Sequence, residues 1–412
     1  NAPDKIDAAV RLPASKSISN RALVMNALAG SKVMPDNLSD CDDTRVILDA
    51  LRRMPETIDI GAAGTAMRFM TAYLAVTPGC HTLTGTERMK HRPIRALVDA
   101  LRYIGADIAY EGEEGYPPLR INGRRLEGGR LEIPGDISSQ YISALLMIAP
   151  TLAGGLELKL NGEIISRPYI DLTLCMMRDF GADAEWSDVD TISVKPKAYA
   201  QRGFYIENDW SAASYWYEML VLGHDEESEI MLTGLTDGSR QGDSAVKYLF
   251  SMLGVRTTFK TRERNVPTTV TLKRVETKPP RLDYDFINQP DMVQTFVVCC
   301  TLADIPFRFT GLSTLKIKET DRVEALKTEI RKLGYIIRET GIGELSWDGE
   351  RCEPADDIVI NTYEDHRMAM AFAPASITFP GLKIDNPQVV SKSYPHFWDD
   401  LRQAGFIIDG AE

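Results

Sequence analysis

The stretch Ile94-Arg95-Ala96-Leu97-Val98-Asp99-Ala100-Leu101-Arg102-Tyr103-Ile104, closed by Gly105, decides the fold. It reads as an amphipathic helix with a glycine at its left-handed C-terminal position. The same arrangement recurs at Leu172 to Phe180 before Gly181, Ala245 to Leu253 before Gly254, Val323 to Leu333 before Gly334, and Phe397 to Ala404 before Gly405. These glycines are spaced by 76, 73, 80 and 71 residues, and Asp43 to Arg53 is a sixth member without the glycine.

A second series lies between them. Its members are apolar almost all round and therefore predicted to be buried helices. They begin near Ser17, Gly64, Ser138, Asp209, Asp291 and Asp365, at spacings of 47, 74, 71, 82 and 74. Two interleaved series with one period imply six copies of a single α/β unit, the first of them short. Three plus three gives two domains of sensible size.

The 412 residues fit that count, being roughly three times the ~150-residue domain prior. The net charge of -12 excludes a general nucleic-acid binder, which would carry a basic stripe. The six cysteines are sparse and form no C-x-x-C pair, so neither a disulfide scaffold nor structural zinc is expected. The weakly polar run from Tyr141 to Gly155 is broken by Pro150 and falls short of a membrane span. No signal-peptide pattern opens the chain, and a soluble cytoplasmic protein is the expectation.

The helix starts carry the chemistry. Ser15-Lys16-Ser17, Gly64-Thr65-Ala66-Met67-Arg68, Lys90-His91-Arg92-Pro93 and Ser138-Ser139-Gln140 gather small hydroxyls, glycine and cations. So do Ser166-Arg167-Pro168-Tyr169, Lys318-Glu319-Thr320-Asp321-Arg322, Asp365-His366-Arg367 and Lys392-Ser393. Serine, threonine and aspartate are ordinary N-caps. Capping does not account for Lys16, Arg68, Arg92, Lys318, Arg367 and Lys392 at or near positions where the helix dipole disfavours a cation. An anion held among them removes the conflict. P-loop, dinucleotide, zinc-protease and nucleophile-elbow motifs are all missing.

Seven ordered segments, from Leu12-Pro13-Ala14-Ser15-Lys16-Ser17-Ile18-Ser19-Asn20-Arg21 to the Lys392 segment, closely resemble the 5-enolpyruvylshikimate-3-phosphate synthase family. The resemblance runs from about residue 5 to the end. It implies a two-domain inside-out α/β barrel of six βαβαββ units. One domain would be 14–207 and the other 1–13 with 208–412, with the site in the cleft between them. It also implies transfer of the enolpyruvyl group of phosphoenolpyruvate to the 5-hydroxyl of shikimate 3-phosphate. No cofactor or metal, no nucleic acid or membrane partner, and a monomer go with that family.

By the same resemblance, shikimate 3-phosphate falls to Lys16, Ser17, Arg21, Ser138, Ser139, Gln140, Ser166, Tyr169, Asp291 and Lys318. Phosphoenolpyruvate falls to Lys16, Gly64, Arg92, Gln140, Arg322, Arg367 and Lys392, with Thr65, Arg68 and Asp365 in support. Asp291 is implied as the base and Glu319 as the acid, with Lys16 sharing charge or proton transfer. Competition of glyphosate with phosphoenolpyruvate is implied as well. Ala62, Phe69, Thr314 and Glu364 depart from the family's frequent Asn, Pro, Asn and Asn.

Two competing readings remain at this point. A related enolpyruvyl transferase acting on UDP-N-acetylglucosamine commonly carries a Cys in the segment corresponding to Thr86–Pro93, where this chain has none. An inactive anion-binding homologue would be expected to lose Asp291, Glu319 or the arginines, and all are present.

Overall fold

The computed structural model describes residues 1–261, 263 and 266–410. The chain divides into two compact units, Ala14–Ile206 and Asn1–Pro13 with Glu207–Glu412.

In the 14–206 unit, strand Gly129–Pro134 leads into helix Ser139–Ile148 and returns as strand Leu156–Asn161. Helix Arg167–Asp179 follows, and then strands Ala184–Trp186 and Thr191–Val194. The first two strands are parallel and the last two antiparallel, in the spatial order first, second, fourth, third. Alternation sets the register: Leu131 faces Leu158, Leu158 faces Ile192, and all three are buried. Strands Thr57–Asp59, Gly79–Thr84, Asp107–Tyr110 and Leu119–Gly123 repeat that order.

The other unit holds two more copies. One is built on Leu282–Asp285, Phe307–Thr310, Arg338–Gly341 and Glu344–Trp347. The other begins with Asp7–Arg11, which pairs in parallel with Glu229–Thr236, so residues 14–206 are inserted between a strand and its own helix Trp210–Leu222. Asn208 secures that entry by donating to the carbonyls of Leu12 (2.7 Å) and Thr233 (2.9 Å). A Cβ on Gly234, at φ +95, would lie 2.1 Å from the Asn208 amide nitrogen, so only glycine fits there.

The helix-derived repeat is therefore a βαβαββ unit, in the two-domain α/β architecture expected. Two copies are reduced. Among the described residues, the last keeps only the pair Val359–Ile360 and Lys383–Ile384, which the helix spacing did not reveal. The first keeps helices Lys16–Leu28 and Asp42–Arg53, and Asp36 makes a parallel bridge to Tyr205.

The five marker glycines all have positive φ, between +87 and +102. Behind Gly105, Gly181, Gly334 and Gly405, the next N–H reaches back five residues, as Ala182 does to Met177 at 2.9 Å. Met54 takes the same left-handed role at φ 41 in the copy that lacks a glycine. Each unit has its own core, packed around its apolar helices. Truncating a leucine in either core to alanine would cost about 2–5 kcal/mol.

Candidate active site

In the unit containing residues 207–412, the predicted site residues sit where helices begin or short turns end. Arg322 opens helix Arg322–Lys332, whose N-cap Asp321 accepts from Val323 and Glu324 N–H. The Arg322 side chain is 2% exposed and reaches three carboxylates. Nε donates to Asp365 Oδ2 at 2.7 Å and Nη2 to Asp365 Oδ1 at 3.3 Å. Nη1 donates to Asp291 Oδ1 at 2.9 Å, and Nη2 to Glu319 Oε2 at 3.1 Å.

Other cations complete the network. Arg367 Nη2 donates to Asp291 Oδ2 at 3.1 Å, and its Nη1 to the Tyr215 hydroxyl at 3.4 Å. Lys392 Nζ donates to Glu319 Oε1 at 2.9 Å, and Lys318 Nζ lies 3.8 Å from Asp291 Oδ1. Four cations thus meet three carboxylates, a formal excess of one positive charge. Such planar forks suit carboxylate and phosphate groups.

Burial alone would raise the Asp291 carboxyl, but Arg367, Lys318 and Arg322 outweigh it and hold it well below the ordinary range. Burial lowers the Lys318 ammonium, with Asp291 opposing. For Arg322, burial would lower the guanidinium, and Asp365, Glu319 and Asp291 more than reverse that. Glu319 has Arg322 and Lys392 as cationic partners, an arrangement that favours its ionised form.

Four positions stand outside the helices that the sequence places them at. Asp291 does not cap a helix: it lies in the turn Pro290–Met292, and helix Val293–Leu302 begins after it without a side-chain cap. Lys318 and Lys392 stand at the ends of the 3-10 turns Ser313–Ile317 and Pro387–Lys392 rather than at helix starts. Arg92 lies between helices Glu87–Lys90 and Arg95–Tyr103.

In the 14–206 unit, the predicted residues gather at the N-terminal ends of helices Lys16–Leu28, Gly64–Val76 and Ser139–Ile148. The Arg21 guanidinium is buried and donates to Thr173 Oγ1 (2.7 Å), Ser143 Oγ (3.0 Å) and the Ser17 carbonyl (2.9 Å), and lies 3.5 Å from the Tyr169 carbonyl. Burial pushes it down to about 10, so it remains a cation at neutral pH. Phe69 lies beneath it, with Arg21 Cζ 5.4 Å from the ring centroid, which gives that family departure a packing role.

Arg68 donates to the Gly64 carbonyl at 3.0 Å and stacks over Tyr141. Arg92 approaches Gly64 closely, since a Cβ there would lie 2.7 Å from its Nη1. Among the described residues, the buried Nε of Arg92 has no hydrogen-bond partner. Gln140 Nε2 donates to Thr65 Oγ1 at 3.2 Å. Ser138 caps Gln140 N–H at 3.3 Å, whereas Ser166, at φ 53, makes no side-chain cap. Ser139 opens its helix and is buried.

Sequence reasoning missed Asp43, whose carboxylate lies 3.4 Å from Lys16 Nζ. It is only 2% exposed. Its spacing to buried Ile47 and Ala50 is the signal that could have placed it inward. Thr173, Ser143 and Tyr215 were also missed. Ser143 and Tyr215 lie inside apolar helices and Thr173 on the buried face of an amphipathic one, and none is marked by a motif.

The profile of the EPSP synthase (3-phosphoshikimate 1-carboxyvinyltransferase) family matches residues 1–59 and 54–401. A 3-phosphoshikimate 1-carboxyvinyltransferase from Bacteroides fragilis is 58% identical over 412 residues, covering 100% of this chain and 98% of its own. The chain belongs to the EPSP synthase family. An EPSP synthase structure from Acinetobacter baumannii matches with a TM-score of 0.78 at 19% identity, covering 99% and 98% of the two chains. The enolpyruvyl transferase NikO from Streptomyces tendae matches with a TM-score of 0.71 at 17% identity, covering 98% and 96%. At those identities the two structures speak for the fold alone. Among the described residues, no helix is long and apolar enough to cross a membrane. No group of three or more His, Cys, Asp or Glu residues among them is placed to hold a metal ion.

Proposed function

We propose that this chain moves the enolpyruvyl group of phosphoenolpyruvate onto the 5-hydroxyl of shikimate 3-phosphate, and that residues of both units serve that one reaction. The observation that carries the reading is the Asp291–Arg322–Arg367 cluster, in which a carboxylate is kept ionised by the same cations that suit an anionic substrate.

An incoming phosphoenolpyruvate competes with Asp291 and Glu319 for Arg322, Arg367 and Lys392. As those cations turn to the substrate, both carboxyl groups lose the partners that favour ionisation, and their proton affinity rises. Asp291 then takes the 5-hydroxyl proton. Glu319, having gained a proton, delivers it to the methylene carbon of phosphoenolpyruvate, and the new C–O bond forms at its C2. In the elimination a methyl proton returns to a carboxylate, the C2–O bond to phosphate breaks, and phosphate leaves.

In the 14–206 unit, Arg21, Ser17, Ser138, Ser139, Gln140, Ser166 and Tyr169 hold shikimate 3-phosphate. Lys16, Gly64, Arg92 and Gln140 serve phosphoenolpyruvate, with Thr65 and Arg68 in support. Arg21 and Arg92 make no ion pair among the described residues, and a substrate anion would supply the missing charge. In the other unit, Lys318 joins Asp291 at the acceptor, and Asp365 orients Arg322. A cytoplasmic monomer acting without a cofactor completes the proposal.

The test is phosphate release from phosphoenolpyruvate. Release that requires shikimate 3-phosphate is expected. Release with UDP-N-acetylglucosamine instead, or none from a folded sample, overturns the reading. Asp291→Ala should keep shikimate 3-phosphate binding measurable while turnover collapses.

A further inference from the structure

Arg367 is delivered by a loop whose backbone is unfavourable on its own. Tyr363 and Glu364 are consecutive non-glycine residues at φ 54 and φ 57. Bulky residues rarely adopt that region, and two in succession persist only where the surroundings hold them. The next residue, Asp365, caps helix His366–Phe372 by accepting from Arg367 N–H at 2.9 Å and also binds Arg322.

The holder is Glu329, which is fully buried. Its Oε1 accepts from the Tyr363 hydroxyl at 2.6 Å, and its Oε2 from Asn361 N–H at 3.1 Å and Lys332 Nζ at 2.6 Å. Lys332 also donates to the Val359 carbonyl at 2.8 Å. Glu329 and Arg322 lie on the same helix, two turns apart. That helix therefore grips the 359–365 segment twice, at Asp365 through Arg322 and at residues 359–363 through Glu329 and Lys332.

We propose that Glu329 is a positioning residue for the reaction: by clamping the left-handed loop at Asn361 and Tyr363 it fixes where Arg367 stands over Asp291. The proposal rests on the reading that Arg367 holds phosphoenolpyruvate. It also gives the Glu364 departure a physical meaning. Asparagine, frequent there in the family, tolerates the left-handed region better than glutamate does. This chain places more of that burden on the clamp.

The test uses the full-length protein and the variants Glu329→Gln, Tyr363→Phe and Glu329→Gln with Glu364→Asn. Glu329→Gln should lower kcat/KM for phosphoenolpyruvate roughly tenfold, below the hundredfold that a misplacement of about 1 Å can cost. The KM for shikimate 3-phosphate should stay within about twofold, and Glu364→Asn should restore part of the loss. Tyr363→Phe removes one hydroxyl from a partly exposed site, and it should shift the same parameter in the same direction if Glu329→Gln fails to fold.

Amide exchange at residues 366–369 should quicken in Glu329→Gln and slow again in the double variant. Equal losses for both substrates with faster exchange throughout the unit would overturn the proposal, as would unchanged kinetics or a double variant no better than the single. If the wild type lacks turnover, the functional reading falls by itself, and the exchange measurement still decides whether Glu329 clamps the loop.

Discussion

Replacing Arg322 by Met keeps much of the side-chain volume and removes the charge that three carboxylates share. The loss is four contacts of 2.7 to 3.3 Å. Asp291 and Glu319 keep Arg367, Lys318 and Lys392 nearby. Asp365 is fully buried and left with the Arg367 N–H at 2.9 Å and the His366 ring at 3.6 Å. Stranding one buried carboxylate costs about 3–5 kcal/mol. Asp365→Asn in the same background needs no countercharge and should recover part of that, a coupling of about 1–3 kcal/mol. Urea unfolding followed by tryptophan fluorescence suits the measurement, because Trp210, Trp216, Trp347 and Trp398 all lie in this unit. A loss below about 1 kcal/mol for Arg322→Met, or strict additivity with Asp365→Asn, would refute the idea that Arg322 neutralises a buried charge.

Gly64→Ala puts a methyl 2.7 Å from Arg92 Nη1, where ordinary contact begins at 3.4 Å. The flexible arginine end can retreat, so stability should hold while KM for phosphoenolpyruvate rises about tenfold; an unchanged KM would detach Gly64 and Arg92 from that substrate. Family membership also predicts that glyphosate competes with phosphoenolpyruvate, and inhibition only far above the concentrations that inhibit ordinary members of the family would contradict this. Burial, with Asp291 adding to it, raises buried Asp243 to about 6. Its stabilising contribution is complete below the unfolded value of about 3.9 and is lost as pH rises through the folded value. Asp243→Asn should therefore gain up to about 3 kcal/mol over the wild type at pH 8, with the gain vanishing near pH 4. An advantage that grows toward acid would show the sign to be wrong.

Much of the fold was legible because helices end on backbone chemistry that sequence displays. Gly105, Gly181, Gly254, Gly334 and Gly405 mark left-handed positions that glycine fills most readily, and their spacing reveals the repeat. The reduced last sheet was not legible, because helix spacing survives while strands shorten to Val359–Ile360 and Lys383–Ile384. At the site, cations and carboxylates stood out as charges beside hydroxyl-rich motifs. Their pairing did not, because Arg322 and Asp365 are 43 residues apart and meet only after folding. Asp43 and Glu329 were hidden for a related reason. Each looks like a solvated acid on an amphipathic helix until packing shows that it faces inward.

Enolpyruvyl transfer by addition followed by elimination is tested most directly by turnover in heavy water. With both substrates present, the methylene of the enolpyruvyl product should carry deuterium, because C3 of phosphoenolpyruvate passes through a methyl group before a proton is lost. Phosphate released alongside an undeuterated enolpyruvyl product, with no deuterium in recovered phosphoenolpyruvate, would mean displacement at C2 without a methyl intermediate and would contradict addition followed by elimination.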